Sequence, residues 1–120
     1  MGKKTVVIGA SDNTERYAYK ATRSLQNHQH EVIPIGLRAG KINGLEIITD
    51  KPIIDNVDTV TLYVGPQNQP VWQDYILSLK PKRVIFNPGT ENPEFEKKLT
   101  EKGIEPVEAC TLVLLSVGNY

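Results

Sequence analysis

Thr5-Val6-Val7-Ile8-Gly9-Ala10-Ser11-Asp12-Asn13 is the stretch on which the reading of this chain turns. Four residues of mostly β-branched apolar type make a buried strand, and the run stops at Gly9. Two small residues and two turn formers follow, and a helical pattern begins shortly after. Strand, tight loop and helix start, in that order, let an anionic group approach backbone N–H groups at a helix N-terminus. Only Gly9 is a glycine here, so the full Gly-x-Gly-x-x-Gly fingerprint is absent. The stretch points to a nucleotide-type α/β fold and does not choose the nucleotide.

Strand and helix patterns alternate outward from it. Arg16 to His28 places Ala18, Ala21 and Leu25 on one helical face. Glu31 to Gly36 is a second apolar strand, with Pro34 near its exit. Leu37 to Asn43 reads as an exposed cationic loop, Leu45 to Ile48 as an extended piece, and Ile53-Ile54 as the anchor of a single helical turn. Asp58 to Val64 is the next strand, stopped by Gly65-Pro66. Asn68 stands where it would cap the following helix, with Pro70 in the first turn. Trp72, Tyr75, Ile76 and Leu79 then form an apolar stripe. Arg83 to Phe86 is a strand closed by Asn87-Pro88-Gly89. Asn92 and Pro93 open a helix that buries Phe95 and Leu99 and ends at Gly103. Ile104 to Val107 is an edge strand because it contains Pro106, and Ala109 to Val117 is a last apolar helix. Five strands with helix-length crossovers predict a Rossmann-like three-layer α/β fold with a mostly parallel five-stranded sheet, order 3-2-1-4-5. Residues 1–120 form one domain in this reading.

Composition removes several classes of function. The 120 residues carry 14 Lys and Arg against 14 Asp and Glu, with no basic block, which argues against a nucleic-acid surface. The longest apolar run near the C-terminus, Leu112-Val113-Leu114-Leu115, is far short of a membrane span. Met1-Gly2-Lys3-Lys4 leads straight into a strand, without the apolar region of a secretory signal. Cys110 is the single cysteine, so no internal disulfide and no cysteine-based zinc site can form. A soluble cytoplasmic protein without nucleic-acid or membrane partners is expected.

In an open parallel sheet, ligands sit beyond the carboxyl ends of the strands. The loops emerging there are Gly9 to Arg16, Gly36 to Gly44, Val64 to Gln67 and Asn87 to Glu91. NAD-binding proteins of this fold place an acid at the end of the second strand to hold the ribose hydroxyls. This chain has Gly36-Leu37-Arg38 there, with Lys41 three residues on. A cation in place of the acid favours a phosphorylated ribose, as in NADP or the 3′-phosphorylated ADP of coenzyme A.

Val7-Ile8-Gly9-Ala10-Ser11-Asp12-Asn13 with Arg16, followed by Glu31-Val32-Ile33-Pro34-Ile35, Arg38-Ala39 and Gly44, resembles the small stand-alone bacterial CoA-binding domain proteins. These are relatives of the CoA-binding domain of the succinyl-CoA synthetase alpha subunit. The resemblance runs through nearly the whole chain, including Asn87-Pro88-Gly89 and Cys110. It implies that Gly9, Ala10 and Ser11 lie under the pyrophosphate of coenzyme A or an acyl-CoA, with Arg16 adding charge. It also implies that Pro34 and Ile35 flank the adenosine, with Arg38 or Lys41 near the 3′-phosphate. Val64, Gly65 and Pro66 would line the adenine or pantetheine side, and Asn87, Pro88 and Gly89 would border the pantetheine arm. Relatives often carry Asn-Pro where this chain has Gly36-Leu37, and a Gln-x-Gly-type turn where it has Asn87-Pro88-Gly89. The synthetase's catalytic histidine belongs to a domain this chain lacks, so the resemblance implies binding without ligase chemistry, in the service of an acyl-CoA-using enzyme.

The residues themselves show no nucleophile–base pair and no metal-ligand spacing, so catalysis is not expected. Cys110 reads as a small buried apolar residue. His28 and His30 read as solvated turn residues at the amino edge of the sheet, and Asp12, Glu15, Asp55 and Asp58 as turn or capping residues. Two other classes stay open: an NAD(P)-binding protein or redox sensor, and an interaction module that keeps the fold without the nucleotide. A homodimer is compatible with a domain of this size, although no surplus apolar stripe marks its interface.

Overall fold

The structure, a computed structural model, describes residues 2–120. In chain order its elements are β1 (Thr5–Ile8), α1 (Tyr17–Asn27), β2 (Val32–Ile35), β3 (Lys41–Ile42), β4 (Leu45–Glu46), β5 (Thr59–Leu62), a 3-10 turn (Pro66–Asn68), α2 (Pro70–Leu79), β6 (Arg83–Phe86), α3 (Pro93–Glu101), β7 (Glu105–Glu108) and α4 (Thr111–Ser116). β1 is buried along its whole length because it pairs on both sides, with β2 and with β5. The sheet is parallel throughout, in the order β2-β1-β5-β6-β7.

The three-layer α/β fold is the one expected. Alternation along the strands splits its core in two. Val6, Ile8, Val60, Leu62, Val84 and Phe86 meet Trp72, Ile76 and Leu79 of α2 and Phe95 and Leu99 of α3. Val7 and Val32 meet Leu25 of α1, Ile42 of β3 and Leu115 of α4 on the other face. Apolar side chains of α1, α2 and α3 face the sheet as their 3.6-residue spacing dictates.

The strand order differs from the expected one. Counted over the five sheet strands, it is 2-1-3-4-5 and not 3-2-1-4-5, because β5 pairs directly on β1. The piece that would lie outside β2 is cut down to one parallel bridge between Ile35 and Ile48. Ile48 donates its N–H to the Pro34 carbonyl and accepts from the Gly36 N–H. Pro34 faces outward with no N–H of its own to extend that pairing, and the Asp50-Lys51-Pro52 turn follows at once. With this vestigial strand counted, the arrangement is the 3-2-1-4-5-6 order of dinucleotide folds.

Four local expectations need correction. Leu37 to Asn43 is not all exposed loop: β3 and β4 form a hairpin over an Asn43-Gly44 turn with both residues at positive φ, and Ile42 is fully buried. Ile53-Ile54 forms no helical turn; Pro52 precedes it, and Ile53 is 96% exposed. Asn68 does not cap α2, because it closes the 3-10 turn and Gln69 takes the cap position without a side-chain bond. His30 is not a solvated turn residue. Its Nδ1 accepts the Lys3 N–H at 2.8 Å and its ring lies 4.8 Å from that of Tyr120, while the Arg83 guanidinium sits 4.5 Å from the same Tyr120 ring.

One buried amide braces the carboxyl half of the sheet. Asn87, just past β6, donates to Thr61 Oγ1 at 2.7 Å and to the Leu62 carbonyl at 2.9 Å, and its Oδ1 accepts the Thr111 N–H at 2.9 Å. Asn87→Ala orphans the buried Thr111 N–H and the side-chain bonds of β5. A loss of about 3 kcal/mol in urea unfolding is expected, with an unchanged slope.

Burial first, and then His28, Lys3 and Arg83, hold the His30 pKa below the ordinary histidine value, with Asp58 opposing. The unfolded chain therefore binds the proton more readily than the folded one. The stability contributed by neutral His30 is complete above about pH 6.5 and is lost as pH falls below it. Melting temperature should drop through that window in the parent protein and drop less in His30→Gln.

Candidate functional site

The carboxyl ends of β2, β1 and β5 are drawn together by glycine. Gly9 has φ +94°, and a Cβ there would stand 2.9 Å from the Tyr63 carbonyl oxygen. A Cβ on Gly36 would stand 2.3 Å from the Ala10 carbonyl oxygen. Both positions need a residue without a side chain, since the obstacle in each case is backbone. The Ile35 carbonyl accepts the N–H groups of both Gly9 and Ala10 at 2.9 Å. Those two donors are therefore spent inside the protein.

Beyond Ala10 the chain folds into a turn of its own. Ser11 Oγ accepts the Asn13 N–H at 3.1 Å, Asn13 Oδ1 accepts the Glu15 N–H at 3.0 Å, and the Asn13 carbonyl accepts the Arg16 N–H at 3.0 Å. This turn delivers Arg16 to the cap position of α1. No side chain caps α1 and no acid stands in its first turn, and the N–H groups of Tyr17, Ala18 and Tyr19 have no hydrogen-bond partner among the described residues. In α3, by contrast, Asn92 accepts the Phe95 N–H, and Glu94 and Glu96 occupy the first turn.

A cleft of about 550 Å³ opens above these strand ends. Gly9, Arg16, Gly36 and Leu37 line it on the β1–β2 side, and Tyr63, Val64, Gly65, Gln67, Asn68, Pro70, Val71 and Trp72 on the β5–α2 side. Arg16 is the one charged residue among those lining residues, and no carboxylate is present there. Gln69, fully buried, fixes the second wall: its Nε2 donates to the carbonyls of Val64 at 2.9 Å and Thr90 at 2.7 Å, and Asn92 donates to its Oε1 at 2.9 Å.

The sequence-predicted residues divide accordingly. Gly9, Arg16, Val64 and Gly65 meet at the cleft, with Ala10 and Ser11 in the adjoining turn. Pro34 and Ile35 are buried in the sheet, so what the site feels of Ile35 is its carbonyl, already used. Arg38 and Lys41 are exposed, on the loop and hairpin after β2, and do not line the cleft. Pro66 is exposed at the start of the 3-10 turn. Pro88 and Gly89 are exposed past β6 and do not line the cleft, and the Asn87 side chain is consumed in the core. Gly36, Leu37 and Gln67 also line the cleft, in loops that the sequence places at this edge without a role for them, while Tyr63, Asn68, Pro70, Val71 and Trp72 were missed. Val71 had a legible signal: an apolar residue in the first turn of a helix whose buried stripe starts one position later.

The Tyr63 hydroxyl is buried and has no hydrogen-bond partner among the described residues. Burial, with Cys110 beside it, pushes its pKa well above the phenol range, so it stays protonated. Cys110 is a half-buried free thiol, where a small buried apolar residue was expected. A larger hollow of about 1100 Å³ lies at the opposite, amino edge of the sheet, among residues such as Lys4, Ile53, Asp58, Lys80 and Lys82. Several of its charges are already engaged, as in Lys4 with the Asp55 carbonyl and Lys82 with Asp58, and it faces away from the strand ends where ligands of this topology bind. Among the described residues no group of three or more His, Cys, Asp or Glu is placed to hold a metal ion. No described helix is long and apolar enough to cross a membrane.

Gly36→Ala forces a methyl against the Ala10 carbonyl. A destabilisation of about 1–3 kcal/mol is expected from urea midpoints, whereas Leu37→Ala, next to it and 85% exposed, should stay within about 0.5 kcal/mol of the parent.

A family model described as the CoA binding domain matches residues 3–116. No curated protein matches the chain. Among solved structures, one described as an uncharacterized protein is 57% identical with a TM-score of 0.98, covering 100% of this chain and 99% of the other. Cell-free ID.343 from Thermus thermophilus is 26% identical with a TM-score of 0.86, covering 99% of this chain and 91% of its own. The dinucleotide-forming acetyl-coenzyme A synthetase 1 of Ca. Korarchaeum cryptofilum, solved with phosphate and ADP, is 18% identical with a TM-score of 0.71. The match covers 90% of this chain but 26% of the synthetase, and the likeness is one of fold.

Proposed function

This chain belongs to the CoA-binding domain family, and on that premise we propose that it binds coenzyme A or an acyl-CoA, without catalysis, at the carboxyl edge of its sheet. The observation that carries this reading is electrostatic. The uncapped N-terminus of α1 and Arg16 adjoin a cleft whose lining contains no carboxylate. Free helix N–H groups, the positive end of the helix dipole and a guanidinium together suit a pyrophosphate.

The residues present fit the ligand, with one revision of the pose. Gly9 and Ala10 bring the backbone close but have no N–H to give, so the phosphates take their donors from Ser11, Arg16 and the first turn of α1. Arg38 and Lys41, exposed on the β2 side, are assigned the ribose 3′-phosphate. Pro88 and Gly89 are left to border the pantetheine arm as it leaves the cleft over β6. A cleft of about 550 Å³ falls within the size range of small-molecule sites. An enzyme that uses acyl-CoA is the partner class this reading implies.

Calorimetric titration with coenzyme A, dephospho-CoA, NADP and NAD tests the proposal. Binding of coenzyme A, weaker for dephospho-CoA and negligible for NAD, is expected. Heat with NAD or NADP alone, or with none of the four, would overturn it. Arg16→Ala should weaken coenzyme A about tenfold through the lost charge-assisted bonds. Arg38→Glu should weaken coenzyme A far more than dephospho-CoA; equal losses would remove the 3′-phosphate contact.

A further inference from the structure

We infer that the hollow at the amino edge of the sheet is a docking surface for a protein partner, and that its occupant is an acidic segment whose apolar anchor covers Ile53. The surface lies at the edge opposite the cleft, so the inference stands independently of the coenzyme A reading.

The hollow exists because one crossover has no helix. The route from β2 to β5 passes across β1 and contains only the β3–β4 hairpin, where a parallel crossover is usually made by a helix. After the single bridge at Ile48, a strap of residues 50–57 takes the helix's place. Ile54 and Val57 pack the strap into the core that α2 shares with β1, and the Tyr75 hydroxyl donates to the Pro52 carbonyl at 2.7 Å. A hollow of about 1100 Å³ is left between the strap, the last turns of α2 and the entries to β1 and β2. That is twice the volume of the cleft at about 550 Å³, and it suits a length of chain.

Three properties of the lining select the occupant. Ile53 is 96% exposed, between Pro52 and Ile54, which are both held against the body of the protein. From Ile53 to Val57 no backbone N–H donates to a described residue, and only the Asp55 carbonyl accepts, from Lys4 Nζ. An incoming main chain therefore finds donors and acceptors along the strap. The third property is charge. Lys3, Lys4, Lys51, Lys80 and Lys82 line the hollow, against the carboxylates of Glu31, Asp55 and Asp58, in a chain of zero formal net charge. Asp58 is already paired with Lys82 at 3.7 Å. The Nζ atoms of Lys4 and Lys51 meet neutral carbonyls, and that of Lys80 has no partner among the described residues. A surface that sets one exposed isoleucine among surplus lysines is complementary to an acidic segment with an apolar side chain.

The test uses the intact chain and a synthetic peptide, Asp-Glu-Glu-Leu-Glu-Ile-Glu-Asp. One analogue carries serine for the two apolar residues and another carries lysine for the acids. In an amide-detected NMR titration the first peptide should shift Ile53 to Asp58 and Tyr75 to Lys82 and leave Gly9 to Arg16 unmoved. The serine analogue should bind about tenfold more weakly, and the lysine analogue not at all. Ile53→Ser should lose about tenfold for the first peptide. Lys80→Asn should lose about threefold, since asparagine tolerates the left-handed backbone at φ +50° there; both variants are checked for folding by circular dichroism. Affinity should fall as salt rises from about 0.05 to about 0.5 M. No binding of the acidic peptide, equal binding of either analogue, or parent affinity in Ile53→Ser would overturn the proposal. Self-association through Ile53 in sedimentation, without peptide binding, would overturn it too and give the surface to a second copy of this chain.

Discussion

The site depends on the Ile35 carbonyl. It accepts two N–H groups at once, from Gly9 and from Ala10, and so ties the end of β1 to the end of β2 at the point where the chain must turn towards α1. The bond has a steric condition attached. The turn can lie this close only if Gly36 and Gly9 present no side chain to the neighbouring carbonyls. Once it does, the Ser11 to Arg16 turn, the start of α1 and the presentation of Leu37 all follow from the same short stretch of backbone. The glycines here act through close approach of main chain to main chain, and a phosphate is not needed to explain them.

Much of this was legible in the sequence, and what escaped did so for definable reasons. Period-2 and period-3.6 patterns are set by burial, and the strands and helices carrying Val6, Leu25, Ile76 and Phe95 declare themselves in that way. Asn92 declares a cap because its partner is local. Strand order is different, because it is decided by which edge of β1 the third sheet strand prefers. A segment reduced to one bridge at Ile48 reads the same in sequence whether it pairs or not. Gln69, Asn87 and His30 were misjudged or passed over for a shared reason: their partners lie 21, 24 and 27 residues away. Polar side chains with distant partners look like surface until the fold is known.

The site's residues follow the same division. Gly9 and Arg16 belong to a local motif that the sequence singles out, and both line the cleft. The opposite wall, from Gln67 to Trp72, is assembled by a buried glutamine that holds the loops after β5 and β6 in one place. No local spacing announces that wall. The contrast between α1 and α3 is more instructive than any motif: one helix start is satisfied by its own side chains and the other is left to its surroundings.

The prolines at the two rims of the sheet limit how this protein can meet others. Pro34 in β2 and Pro106 in β7 each lie in an outermost sheet strand, and each turns its missing donor outward, since the neighbouring residues send their N–H groups inward to β1 and β6. Glu105 and Glu108 add charge at the β7 rim. An incoming strand would find an incomplete ladder on either side. Growth of the sheet by annexing a neighbour's backbone is thereby discouraged, and contact with another molecule is directed to the helical faces and the loops.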